Sequence, residues 1–141
     1  MIPSLGNLAL WLSFFFALFQ LIFSRNNKNF KYVAFAVKGL FFFSLVSFFL
    51  LIYSHLVSDF SVVNVVQNSH TTKPLLYKIT AVWGNHEGSM LLWILVLTLF
   101  NYLIFKLTNK KNIFFIFKTL EVQSFVILGF LLFTIFTSNP F

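Results

Sequence analysis

The chain has 141 residues, 59% of them hydrophobic and only 9% charged, with a net charge of +7 and a mean hydropathy of +0.89. Soluble domains carry roughly a quarter charged residues, so this composition excludes a water-soluble fold, and 23 phenylalanines are too many for one small aqueous core. The basic residues fall in short clusters between apolar runs, an arrangement that sets membrane orientation and argues against a nucleic-acid partner.

A hydrocarbon layer of about 30 Å takes about 20 helical residues to cross. Residues 5–23 form the first such run. It is uncharged and lacks the basic n-region of a cleaved signal, so it reads as a retained span. The second, 39–57, is uncharged apart from a proton that His55 can take. A long loop, 58–88, follows. Residues 58–63 alternate weakly and read as extended or irregular, while 75–82 read as a half-buried helix or strand at the membrane surface, which periodicity does not decide. The third span is 89–107, with Lys106 at its end. Residues 113–117 are apolar too, and an interfacial position stays open for them. The fourth span, 119–137, contains Glu121, with Lys118 one turn earlier as its expected partner. Backbone polar groups in lipid must be satisfied within the segment, so the spans are helices, and four cannot close a barrel. The expected fold is therefore an all-α integral membrane protein with four transmembrane helices in a single membrane domain, 1–141, embedded in a lipid bilayer.

Charge then predicts orientation. Arg25, Lys28, Lys31 and Lys38 flank the first connection, and Lys106, Lys110, Lys111 and Lys118 flank the connection between the third and fourth spans. Only Lys73 and Lys78 lie in the long loop, where Asp59 and Glu87 offset them. The positive-inside rule puts the short loops on the cytoplasmic or matrix side, and both termini and the long loop in the periplasm or intermembrane space. Tyr53 and Trp83 fall near the outer ends of their spans as interface anchors, and Trp93 sits about one turn in from that end. No internal repeat or flexible linker marks a second unit.

Chemistry concentrates in Trp83-Gly84-Asn85-His86-Glu87-Gly88-Ser89, directly against the third span. Gly84 and Gly88 permit backbone conformations closed to branched residues. Ser89 is an expected helix cap, and Glu87 lies favourably at the positive end of the helix dipole. On a structural reading the segment is a helix entry with an aromatic anchor. On a functional reading His86, beside Glu87 and Trp83, can ligate haem iron, titrate or hold a propionate, although a structural hydrogen bond is the commoner use. His55, an ionisable group at the end of a span, is a second haem-facing candidate, and His70 reads as solvated. The absence of cysteine removes disulfides, CxxC redox chemistry and thiolate sites. There is no HExxH, GxSxG, Walker or GxGxxG motif, and three acidic residues leave little for carboxylate catalysis. No catalytic residue and no resident metal are expected, nor activity from the chain alone.

Residues 74–93, which contain that segment, resemble the CcmF family, the haem lyase subunit of the cytochrome c maturation system. The likeness extends to 1–10, 58–62 and 129–141, in order along the whole chain, with Trp-Gly-x-His-Glu-Gly-Ser its most specific block. The resemblance implies covalent attachment of haem to the CxxCH cysteines of apocytochrome c, on the outer face of the membrane. It implies as partners a membrane-anchored haem chaperone, apocytochrome c and its thioreductase-like partners. Family members have many more spans, and the tryptophan-rich haem-binding segment and haem-ligating histidines lie beyond residue 141. None of those histidines maps onto His55, His70 or His86, so haem is expected to be handled by the complex without direct ligation by this chain. The chain then corresponds to an N-terminal portion of CcmF, split or truncated, whose partner is the remaining C-terminal portion. Trp83, Gly84, His86, Glu87, Trp93 and His55 are its haem- or partner-facing candidates.

Abundant Phe, Asn, Lys and Ile, which have A+T-rich codons, favour an organelle-encoded protein of the mitochondrial inner membrane over a bacterial plasma-membrane one. The rival functions are a non-catalytic structural or assembly subunit of a respiratory membrane complex and a transporter fragment. Against the latter, the first three spans lack the Gly/Pro-broken helix pair that transport sites use.

Overall fold

A computed structural model describes residues 1–25, 30–107 and 113–141. The expected cationic positions Lys28, Lys110 and Lys111 lie outside the described residues. The described chain forms helices α1 (Ile2–Ser24), α2 (Phe30–Leu56), α3 (Val63–Asn68), α4 (Leu75–Ala81), α5 (His86–Leu107) and α6 (Ile113–Phe136). Four of them, α1, α2, α5 and α6, are long and apolar enough to cross a membrane.

These four close into a ring. α1 packs on α2 and α6, and α5 packs on the same two helices from the other side. Many of the bundle's phenylalanines face outward: Phe35, Phe49, Phe100 and Phe125 are all more than half exposed, while Phe48 and Phe117 are buried. The inner face of α1 carries Gly6, Ala9, Ser13, Ala17, Gln20 and Ser24, three or four residues apart and therefore on one stripe. Small residues at that spacing let helix backbones approach closely where no hydrophobic effect drives association. Ser44 of α2 donates to Ser13 (3.3 Å) and Ser47 donates to the Gly6 carbonyl (3.3 Å) across this seam. Further along, Gln20 and Asn101 exchange two amide hydrogen bonds between α1 and α5, of 3.0 and 2.8 Å, and Gln20 also reaches the Leu120 carbonyl of α6 (3.2 Å). Near that end Glu121 accepts Lys118 at 2.7 Å, as its spacing predicts, and also lies 3.8 Å from Arg25.

All four long helices start earlier than the sequence expectation. α1 begins at Ile2, and α2 begins at Phe30 instead of 39, so Lys31 and Lys38, expected to flank the connection, lie within α2. α6 is continuous from Ile113, so residues 113–117 are its first turns. Ile116 and Phe117 are buried against Val33 and Val37 of α2, and that burial draws them into the bundle. α5 begins at His86, three residues before the expected start, because Asn85 supplies its cap.

Candidate functional site at the capped end of the bundle

The end of the bundle where α2 finishes and α5 starts is covered by residues 57–85. Ser58 leaves α2 in a left-handed conformation, φ 53°. The Asp59 amide bonds back to the Ser54 carbonyl (2.9 Å) and the Ser58 amide to the His55 carbonyl (3.2 Å). That pattern satisfies the last carbonyls of the helix and turns the chain away. Lys78 of α4 donates to Ser58 Oγ at 2.7 Å. Asp59 then accepts the Ser61 hydroxyl (2.6 Å) and amide (3.1 Å). Both bonds favour the carboxylate and hold Asp59 below the usual carboxylate range.

Residues 63–68, next to the stretch expected to be extended, form the short helix α3. Burial selects it: Val62 and Val65, three apart, are fully buried in the same cluster as Leu51, Val82 and Leu91. Residues 75–81 are the helix α4, which buries none of its own residues and leaves Leu75, Leu76 and Tyr77 exposed.

Asparagines fasten this cover to α5. Asn64, only 3% exposed, and Asn85 exchange amide hydrogen bonds of 3.0 Å in both directions. Asn85 Nδ2 also donates to the Ala81 carbonyl (3.0 Å), and its Oδ1 accepts the Gly88 amide at 2.7 Å. The Ser89 amide reaches the Asn85 carbonyl at 3.1 Å, so Asn85 is the N-cap residue of α5. Ser89, the expected cap, sits inside the first turn and donates to the His86 carbonyl (2.9 Å). The sequence signal was present, since Asn85 stands three residues before the amide it caps. Glu87 is in the first turn, as the dipole argument requires, with its Oε2 3.4 Å from Asn64 Nδ2.

The two glycines have different roles. Neither has a positive φ, so conformational freedom explains neither. Gly88 is needed for space, because a Cβ there would overlap the Val82 carbonyl. A Cβ at Gly84 would make only ordinary van der Waals contacts, the nearest with the Thr80 oxygen at 3.4 Å.

His86 is exposed, with its Nδ1 2.7 Å from Ser138 Oγ and its ring edge-on to Phe133 at 5.9 Å. It stands at the mouth of an open, apolar groove of about 510 Å³ between α5 and α6, lined by Met90, Phe125, Gly129, Phe130 and Phe133. Nothing lies within 4 Å of where a Cβ on Gly129 would be. Ser138, 52 residues away in sequence, carried no signal that singled it out. The segment that holds it folds back on α1: Asn139 donates to Asn7 Oδ1 (2.8 Å), and the Phe141 ring covers Gly6.

Trp83, Gly84, His86 and Glu87 thus share one turn at the bundle surface, with Trp83 39% exposed. Trp93, seven residues beyond His86 and on the same stripe of α5, is 59% exposed but does not line the groove. His55 is not brought to this surface. It is fully buried, and its Nδ1 contacts the Leu51 carbonyl at 3.0 Å, leaving Nε2 enclosed without a partner. Its position in the last turn of α2 suggested that the ring could reach the interface, and its complete burial closes that route. His70 is exposed, as expected. Among the described residues no three His, Cys, Asp or Glu side chains are grouped to hold a metal ion.

No family model matches the chain. CcmF of Haemophilus influenzae, a cytochrome c-type biogenesis protein, is 40% identical over 147 aligned residues that cover all of this chain and 23% of that protein. The cytochrome c-type biogenesis protein CycK of Bradyrhizobium diazoefficiens is 53% identical over 95 residues, 67% of this chain and 14% of that protein. A solved structure of the cytochrome c haem lyase CcmF superposes on the whole chain with a TM-score of 0.92 at 26% identity, over 25% of its own length. The chain therefore spans less than a quarter of the length of the curated relatives it matches. Similarity along its full length, in both sequence and fold, shows that this membrane protein belongs to the CcmF family of cytochrome c-type biogenesis proteins.

Proposed function

We propose that this chain is the N-terminal part of a cytochrome c haem lyase, working with the remaining C-terminal CcmF portion to attach haem to apocytochrome c. The observation that carries the reading is the Asn64–Asn85–Gly88 connection. It fixes the Trp83–His86 turn rigidly at the end of the bundle, with His86 facing out over an apolar groove. Haem is a substrate here. Its apolar face suits a groove lined by Phe125, Phe130 and Phe133, and a propionate suits the imidazole Nε2 of His86, whose Nδ1 is taken by Ser138. His55, enclosed and bonded to its own helix, does not fit a ligand role. The charge distribution supports placing this surface in the periplasm or intermembrane space, where the haem chaperone and apocytochrome would meet it. The relatives named above are bacterial, which supports a bacterial plasma membrane. The A+T-type residue usage supports the mitochondrial inner membrane, and cell fractionation decides between them.

Deletion of the chain is expected to abolish covalent c-type haem while b-type haem persists. Normal c-type cytochromes after deletion would overturn the assignment. His86→Ala is expected to lower haem transfer several-fold without loss of the assembled complex. Ser138→Ala, which removes only the contact to Nδ1, separates the two readings of His86. If it impairs transfer as much as His86→Ala, the histidine acts solely as a structural partner of Ser138.

A further inference from the structure

The chain holds ten basic and three acidic residues, and all three acids are engaged. Glu121 takes Arg25 and Lys118, Asp59 accepts from Ser61, and Glu87 lies beside Asn64 at the capped end. Most described cations also have partners: Lys73 donates to the Asn68 carbonyl, Lys78 to Ser58, and Lys106 lies 5.8 Å from the centre of the Tyr102 ring. Lys31 and Lys38 differ: both are exposed on α2 and neither meets an acceptor or carboxylate among the described residues. Of the two, only Lys38, immediately before the uncharged run 39–57, lines a groove. An ammonium group beside an apolar groove at the edge of an uncharged run favours an anionic partner from outside the chain.

The surroundings of Lys38 indicate what that partner is. A groove of about 620 Å³ runs along the outer face of α2, between Phe16 of α1 and Tyr102 of α5. Phe35, Gly39 and Phe42 line it together with Lys38, and the Phe16 ring lies over Gly39. Tyr102 stacks on Phe41 at 5.4 Å and 12° and forms the far wall. One apolar channel therefore has the Lys38 ammonium group in its lining, toward the end of the bundle away from the cover. Basic pockets between transmembrane helices suit the headgroups of anionic lipids, and a lysine stem can run along apolar surface while its charge stays at headgroup level.

We propose that this groove binds an anionic phospholipid, with the phosphate at Lys38 and an acyl chain against Phe35, Gly39 and Phe42. A phosphate already resides at the bilayer surface, whereas a protein helix would have to carry a carboxylate to the edge of the hydrocarbon to satisfy Lys38.

The test is photolabelling of the full chain in phosphatidylcholine vesicles that contain phosphatidylglycerol with a diazirine on its acyl chain. Adducts are mapped by mass spectrometry. Label is expected on the peptide carrying Phe35, Gly39 and Phe42. A phosphatidylcholine probe should label it several-fold less. Lys38→Gln should reduce the anionic preference about fivefold, the worth of one basic residue near a charged membrane surface, and Lys38→Arg should preserve it. Labelling of the exposed Phe125 face of α6 should not change, which verifies that the variants keep the bundle. Equal labelling by both probes, or an unchanged preference in Lys38→Gln, would overturn the proposal. So would loss of the label when the complementary CcmF portion is added, because a protein helix would then be the occupant.

Discussion

A methyl group at Gly88 would collide with the Val82 carbonyl, whereas one at Gly84 would make only van der Waals contact with the Thr80 carbonyl. Helix propensity by itself predicts the opposite for Gly88, because replacing a helical glycine with alanine gains about 1 kcal/mol. The clash is with backbone, which cannot rotate aside as a side chain can, so overpacking of about 1–3 kcal/mol should outweigh that gain. Gly88→Ala is therefore expected to lower the thermal midpoint of the purified protein, and Gly84→Ala to stay within about 0.5 kcal/mol of the parent. Equal sensitivity at the two positions would show that the approach of Val82 to α5 is not what glycine serves. The same pair marks a limit of the sequence. Two glycines four apart before a span look equivalent, and only the path of residues 82–85 separates them.

Among the elements, the cover is held to α5 mainly through Asn64 and Asn85. Asn85→Ala removes a helix cap, worth about 1 kcal/mol, and strands the buried Asn64 amide, which adds about 1–3 kcal/mol. Asn64→Ala leaves the cap intact and should cost less. The two changes share one interaction, so the double variant should lose clearly less than the sum of the singles. Protease cleavage within residues 58–85, measured against loss of the bundle, reads this out, and strict additivity would exclude the reciprocal amide pair. The long spans were legible because hydropathy over about 20 residues is decisive. The cover was not. α3 has six residues, too few for a periodic signal, and its helicity follows from burying Val62 and Val65 against Leu51 and Leu91, a tertiary cause. Residue 85 was readable as a cap in principle, but a serine nearer the hydrophobic run competes with it. The positions of His55 and Ser138 depended on where the cover and the segment after α6 fold, which no local pattern encodes.

At the scale of the whole molecule, the bundle must associate without the hydrophobic effect that drives soluble helices together. It does so with small residues along the α1–α2 seam and with the Gln20–Asn101 exchange across the ring. That pair, with the Leu120 carbonyl, ties α1, α5 and α6 together and leaves no amide atom of either side chain unpartnered. Interhelical hydrogen bonds in membranes contribute about 0.6 kcal/mol on average and up to about 1.7. A single change should exceed that average, because it leaves the partner amide in an apolar interior with nothing to bond. Gln20→Leu and Asn101→Leu are each expected to destabilise the bundle in a denaturing-detergent titration. The double Leu variant removes both amides and should recover much of the loss. If it is instead as unstable as the two singles combined, the pair contributes through shape and not through its hydrogen bonds, and registry of the ring must rest on the serine and glycine seam alone.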